Sequence, residues 1–87
     1  MEVEITPYAL RRLNKHLDFV FEVLEYTPEQ VNKLEDRLIN ATKSLSKNSK
    51  RGQFETYLDY LEEQHRRIIE GRYKIIYYLK GNKVIVI

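Results

Sequence analysis

The sequence predicts an α+β fold in which an amino-terminal strand and an antiparallel helical hairpin pack on a small, mainly antiparallel sheet. Three observations predict it. Two stretches with apolar residues at helical spacing fill the first half of the 87-residue chain. From His65 to Ile87, runs of β-branched and tyrosine residues are interrupted at Glu70-Gly71 and Lys80-Gly81-Asn82, the punctuation of short antiparallel connections. The length allows one modest core and excludes a cofactor domain beside a substrate domain, so residues 1–87 are expected to form a single domain.

The elements follow in order. Val3 and Ile5 alternate with Glu2 and Glu4, the period of a half-exposed strand. Thr6-Pro7 opens a helix, because proline is tolerated at the first helical position, and Leu10, Leu13, Leu17, Val20, Phe21 and Leu24 follow. Thr27-Pro-Glu-Gln30 opens another with an N-cap threonine, an N1 proline and a capping-box glutamine, so the chain reverses between about Glu25 and Thr27. The second helix carries Val31, Leu34, Leu38, Ala41 and Leu45 on one face. A lone hairpin cannot bury both apolar stripes, so the sheet must supply the second layer, with the amino-terminal strand joining it. Ser44 to Gln53 is polar and reads as the one substantial loop, while Phe54 to Leu61 fits a short helical turn and an irregular strand equally.

Charge is unevenly distributed. The net charge is +2, yet through Thr42 there are five Lys or Arg against eight Asp or Glu, giving −3, and from Lys43 onward ten against five, giving +5. The basic half coincides with the loop and the strands, an electrostatic footprint suited to phosphate or an acidic partner. Without cysteine there is no disulfide, thiolate metal site or cysteine nucleophile. No cofactor is implied, and a metal site is discarded because His65 and His16 have no spacing rule linking them. There is no bilayer-length apolar run and no signal-peptide pattern at Met1, which makes the cytoplasm the expected location and a membrane role unexpected.

Metal-free chemistry at a phosphate needs a base for a proton and cations for the developing charge. Glu55 is a candidate base, and Arg67, Arg72 and Lys74 are candidate cations. The only evident candidate acid is His65. Strand alternation puts Arg67 on one face with His65 and Ile69, and Arg66 on the other with Ile68 and Glu70. Lys47, Lys50 and Arg51 form a basic loop beside the strands, so the expected phosphate-binding set is Lys47, Lys50, Arg51, Arg66 and Arg72. Each of these cations could equally be a solvated surface charge or a cross-strand partner of a glutamate. Tyr73 to Leu79 and Val84 to Ile87 are apolar on both faces of their strands, whereas a two-layer domain covers only one, so a partner segment, a second copy of the chain or a tail is expected on the other.

The element order, with Arg51-Gly-Gln-Phe-Glu-Thr-Tyr-Leu58, Arg66-Arg-Ile-Ile-Glu-Gly-Arg-Tyr-Lys-Ile-Ile-Tyr77 and Val84-Ile-Val-Ile87, resembles the RelE/ParE superfamily of bacterial type II toxin-antitoxin toxins almost end to end. The resemblance implies a small growth-arresting toxin held inactive by a cognate antitoxin. RelE-like members are ribosome-dependent messenger RNA endoribonucleases, and ParE-like members inhibit DNA gyrase without a nuclease site. On the RelE-like branch the resemblance implies catalytic roles for Glu55 as general base, Arg67 as phosphate-contacting arginine and Lys74 as the strand cation opposite it. RelE-like chains usually continue past the position of Ile87 into a tail with His, Tyr or Arg, and its absence here favours the ParE-like alternative; an inactive RNA- or protein-binding module on the same scaffold is the third reading.

Overall fold

The computed structural model describes residues 1–87. Its elements run β1 (Glu2–Ile5), α1 (Pro7–Glu22), α2 (Pro28–Lys43), β2 (Gln53–Phe54), β3 (Arg66–Glu70), β4 (Tyr73–Lys80) and β5 (Lys83–Val86), with 3-10 turns at Ser44–Ser46 and Thr56–Leu61. The fold is the expected α+β arrangement of a strand, two helices and a mostly antiparallel sheet.

Both helices begin where their caps predict. The Thr6 hydroxyl accepts from the Ala9 N–H at 3.2 Å and donates to the Val86 carbonyl at 2.9 Å, so the cap of α1 also fastens that helix to the end of β5. At α2 the capping box is complete, with Gln30 N–H donating to the Thr27 hydroxyl and Thr27 N–H donating to the Gln30 side chain. The reversal between the helices uses Glu25 in the left-handed region at φ 57°, after which the Tyr26 N–H bonds back to the Val20 carbonyl.

The sheet order is β1-β5-β4-β3-β2. β1 lies parallel to β5 and all other pairs are antiparallel, which puts β1 and β2 at the two edges. Gly71 and Gly81 occupy the two hairpin turns at φ 62° and 59°, a conformation that costs a side-chain-bearing residue about 1–2 kcal/mol. The ambiguous stretch from Phe54 to Leu61 divides between both readings: Phe54 ends a two-residue strand, and Thr56–Leu61 forms the 3-10 turn. Leu45 lies beyond the end of α2, in the first 3-10 turn, where it is fully buried.

One sheet face packs against the helices. Ile68, Ile75, Tyr77, Val84 and Val86 form a cluster with Leu45, and each fully buried aliphatic side chain there contributes about 1.5–3 kcal/mol. A second cluster, Leu17, Val20, Leu34 and Leu38, holds the far half of the hairpin together. Between α1 and the adjoining ends of β4 and β5 lies a cavity of about 410 Å³ lined by Ala9, Leu13, His16, Tyr73, Ile75 and Val86 among others. His16 Nε2 and the Tyr73 hydroxyl share a 2.9 Å hydrogen bond linking α1 to β4, and burial pushes the Tyr73 pKa up, keeping the phenol protonated. On the opposite sheet face Ile85 is buried, Ile76 and Tyr78 are half-buried and Ile69 is exposed, so the expected second apolar face is only partly open to solvent. No helix is long and apolar enough to cross a membrane.

Candidate functional site

Strand parity decides which charged side chains can meet. Arg67 alternates with Ile68, and Lys74 with Tyr73 and Ile75, so both project from the face turned away from the helices. Glu55 follows β2 directly: its N–H donates to the His65 carbonyl at 2.7 Å and its carbonyl accepts from the Leu58 N–H at 3.1 Å. The start of β3 and the first residues of the 3-10 turn therefore hold it from both sides, and Glu55 is only 3% exposed.

The three side chains converge there. Lys74 Nζ lies 2.7 Å from Glu55 Oε2, and Arg67 Nη1 lies 3.8 Å from Glu55 Oε1. Arg67 is oriented by two further bonds, from Nη1 to the Phe54 carbonyl at 2.5 Å and from Nη2 to the Gln53 side chain at 3.1 Å. Glu55, just after β2, thus meets Arg67 of β3 and Lys74 of β4 in one triad whose sequence separations gave no hint of proximity. The Lys74 hydrogen bond holds the Glu55 pKa below its ordinary 4.5, against the opposing effect of burial, with help from the charges of Lys74 and Arg67 and from the Tyr57 backbone N–H. The carboxylate is ionised at neutral pH. Two cations on one carboxylate leave a net positive charge, and both cations keep solvent access, with side chains 45% exposed for Lys74 and 27% for Arg67.

The other expected phosphate ligands are placed differently. Arg66 projects from the helix-side face, stacks over the Phe54 ring at 4.1 Å and donates to the Gly52 and Lys50 carbonyls at 2.8 and 3.3 Å. It pins the basic loop. Arg51 donates to the Ser44 hydroxyl at 3.0 Å, Lys47 and Lys50 are exposed, and Arg72 sits in the β3–β4 turn, lining the cavity between the layers. None of these five belongs to the triad.

Tyr77 is a supporting residue that sequence reasoning did not single out. Fully buried, it donates its hydroxyl proton to the Ser49 carbonyl at 2.7 Å and accepts from the Gly52 N–H at 3.0 Å, which sets the path of the chain into β2 and Glu55. Its place on the core face was readable from strand alternation, but the partners of its hydroxyl were not. His65 is buried against Tyr78, with ring centroids 5.1 Å apart, and its Nδ1 has no hydrogen-bond partner.

Chemically, the triad combines a proton acceptor with two cations suited to a phosphodiester, without needing a metal. A family model described as the ParE toxin of type II toxin-antitoxin system, parDE, matches residues 3–87. No curated protein matches the chain.

Proposed function

The chain belongs to the ParE toxin family, toxins of type II toxin-antitoxin systems within the RelE/ParE superfamily; from its triad of charged side chains we propose that it arrests growth by cleaving messenger RNA on the ribosome. Membership also implies a cognate antitoxin as its partner. The observation that carries the proposal is the convergence of Glu55, Arg67 and Lys74 on the face away from the helices.

In this reaction Glu55 takes the proton of the 2′-hydroxyl, the 2′-oxygen attacks the adjacent phosphorus, and the bond from phosphorus to the 5′-oxygen breaks. Water supplies the proton to the leaving oxygen. The products are a 2′,3′-cyclic phosphate and a 5′-hydroxyl. Arg67 and Lys74 hold the charge that grows on the non-bridging oxygens. An arriving phosphate competes with Glu55 for the same two cations, and as they turn toward it the carboxylate loses the contacts that depress its pKa and becomes a stronger base.

A second reading is that of ParE-like toxins, inhibition of DNA gyrase by protein contact, and the match to a ParE toxin family favours it. For it, Glu55, Arg67 and Lys74 form an ion triad that ties three strands together. Two assays on one preparation separate the readings. Cleavage on translating ribosomes should stop when the scissile nucleotide is 2′-deoxy, because the nucleophile is gone. Gyrase supercoiling should proceed unimpaired. Inhibited supercoiling with intact messenger RNA would replace the nuclease reading by the gyrase one.

A further inference from the structure

The 3-10 turn after Glu55 carries Tyr57 and Tyr60, which are 83% and 75% exposed. Neither ring makes an aromatic contact or a side-chain hydrogen bond. A 3-10 helix has three residues per turn, so side chains three apart eclipse, and these two rings project from one face about 6 Å apart along the axis. Leu58, on a different face, is half-buried. The turn therefore has an inner side and presents its tyrosines outward. Tyr57 is also tied to the triad, since its backbone N–H helps stabilise the ionised Glu55 carboxyl.

From this placement we infer that Tyr57 and Tyr60 form a stacking platform for bases of single-stranded RNA next to the scissile phosphate. The inference rests on the RNA-cleavage reading and adds to it a base-recognition element.

An aromatic face binds any unstacked base without needing a matched hydrogen bond, which is how single-stranded RNA is commonly gripped. The 6 Å offset exceeds the ~3.4 Å step of stacked bases, so two bases on this platform must be splayed apart. Charge sets the path of the strand. Arg67 and Lys74 offer the cationic side, whereas Asp59, Glu62 and Glu63 are exposed and enter no ion pair. Asp59 lies a third of a turn away from the tyrosine face, so phosphates are repelled from that flank. The backbone then runs over Arg67 and Lys74 while the bases turn outward onto the rings.

The test compares wild type with Tyr57→Ala/Tyr60→Ala and Tyr57→Phe/Tyr60→Phe. One measurement is cleavage kinetics on ribosomes programmed with a defined messenger RNA, and the other is quenching of 2-aminopurine in a short single-stranded RNA. The alanine pair should raise KM about tenfold or more and abolish quenching. The phenylalanine pair, which keeps both ring faces, should restore both. Alanine variants that cleave and quench like wild type overturn the inference, and if they instead lose antitoxin binding the rings belong to a protein contact. Phenylalanine variants as impaired as alanine also overturn it, because the hydroxyl and not the ring would then be the recognition element. The nuclease reading fails separately: wild type that quenches the probe through these tyrosines yet leaves messenger RNA intact keeps the platform and retires the cleavage.

Discussion

Replacing Gly52 by Ala tests how the chain is steered into the site. Gly52 is buried, and a β-carbon built there would lie 2.6 Å from the Tyr77 hydroxyl, 2.7 Å from the Arg67 carbonyl and 3.0 Å from Tyr77 Cε1. Neither neighbour can move aside cheaply. One is β3 backbone, and the other is a fully buried ring held by Ser49 and by Gly52 itself. Overpacking of this kind costs about 1–3 kcal/mol. Displacing the phenol also sacrifices one or two hydrogen bonds at about 0.5–1.5 kcal/mol each, for an expected loss of about 1.5–6 kcal/mol. At about 4–8 °C per kcal/mol in a domain of this size, the melting temperature should fall by at least about 6 °C. Gly81→Ala is the control, because its β-carbon would meet nothing within 4 Å and suffers only the left-handed backbone at φ 59°, costing about 1–2 kcal/mol. Thermal unfolding followed by circular dichroism should rank Gly52→Ala well below Gly81→Ala. Equal losses, or a greater one for Gly81→Ala, would refute the steric account of the loop.

Three further outcomes follow. Lys74→Met removes the largest influence lowering the Glu55 pKa while leaving its burial, so the carboxyl should titrate at higher pH by carbon-13 NMR; an unmoved titration would show that Lys74 is not its partner. Because the folded pKa of Glu55 lies below its unfolded value, its stabilising contribution is present above the unfolded pKa and is lost as pH falls through the folded one. The stability gap between wild type and Glu55→Gln should therefore shrink in chemical denaturation as pH drops below about 4.5, and a constant gap down to pH 2 would contradict the depressed pKa. Thr27→Ala removes the hydroxyl that accepts from the Gln30 N–H, one half of the α2 capping box, and should cost about 0.5–2 kcal/mol, whereas Thr27→Ser, which keeps a hydroxyl acceptor, should cost little; equal losses would assign the effect to packing.

Much of this fold was legible because local chemistry and burial agree. Thr6-Pro7 and Thr27-Pro28 mark both helix starts, and Gly71 and Gly81 fall at the turns where φ is positive. The stretch from Phe54 to Leu61 was not legible, because an aromatic-rich segment suits a strand and a turn alike and two residues of pairing with β3 decide between them. Leu45 kept the apolar period of α2 past the helix end because the following 3-10 turn points it into the sheet cluster against which Ala41 of α2 also packs. Glu55, Arg67 and Lys74 were picked out by resemblance to a family, and no feature of spacing alone joins residues on three different strands or their ends. Arg66 shows why charge counting falls short. One position from Arg67, it faces the opposite side of the sheet and serves as a strut against Phe54 and Gly52. The cavity between the layers left no trace in the sequence, since the residues around it follow the same apolar period as those that are tightly packed.

The most direct test of the central claim is single-turnover cleavage of messenger RNA on translating ribosomes by Glu55→Gln. Glutamine keeps the shape and an oxygen acceptor for Lys74 but is no proton acceptor at neutral pH. Ribosome binding should survive, the circular dichroism spectrum should be unchanged and the cleavage rate should fall roughly 100-fold or more. Cleavage within a few-fold of wild type by a folded Glu55→Gln protein would contradict it and leave the triad as a structural tie between strands.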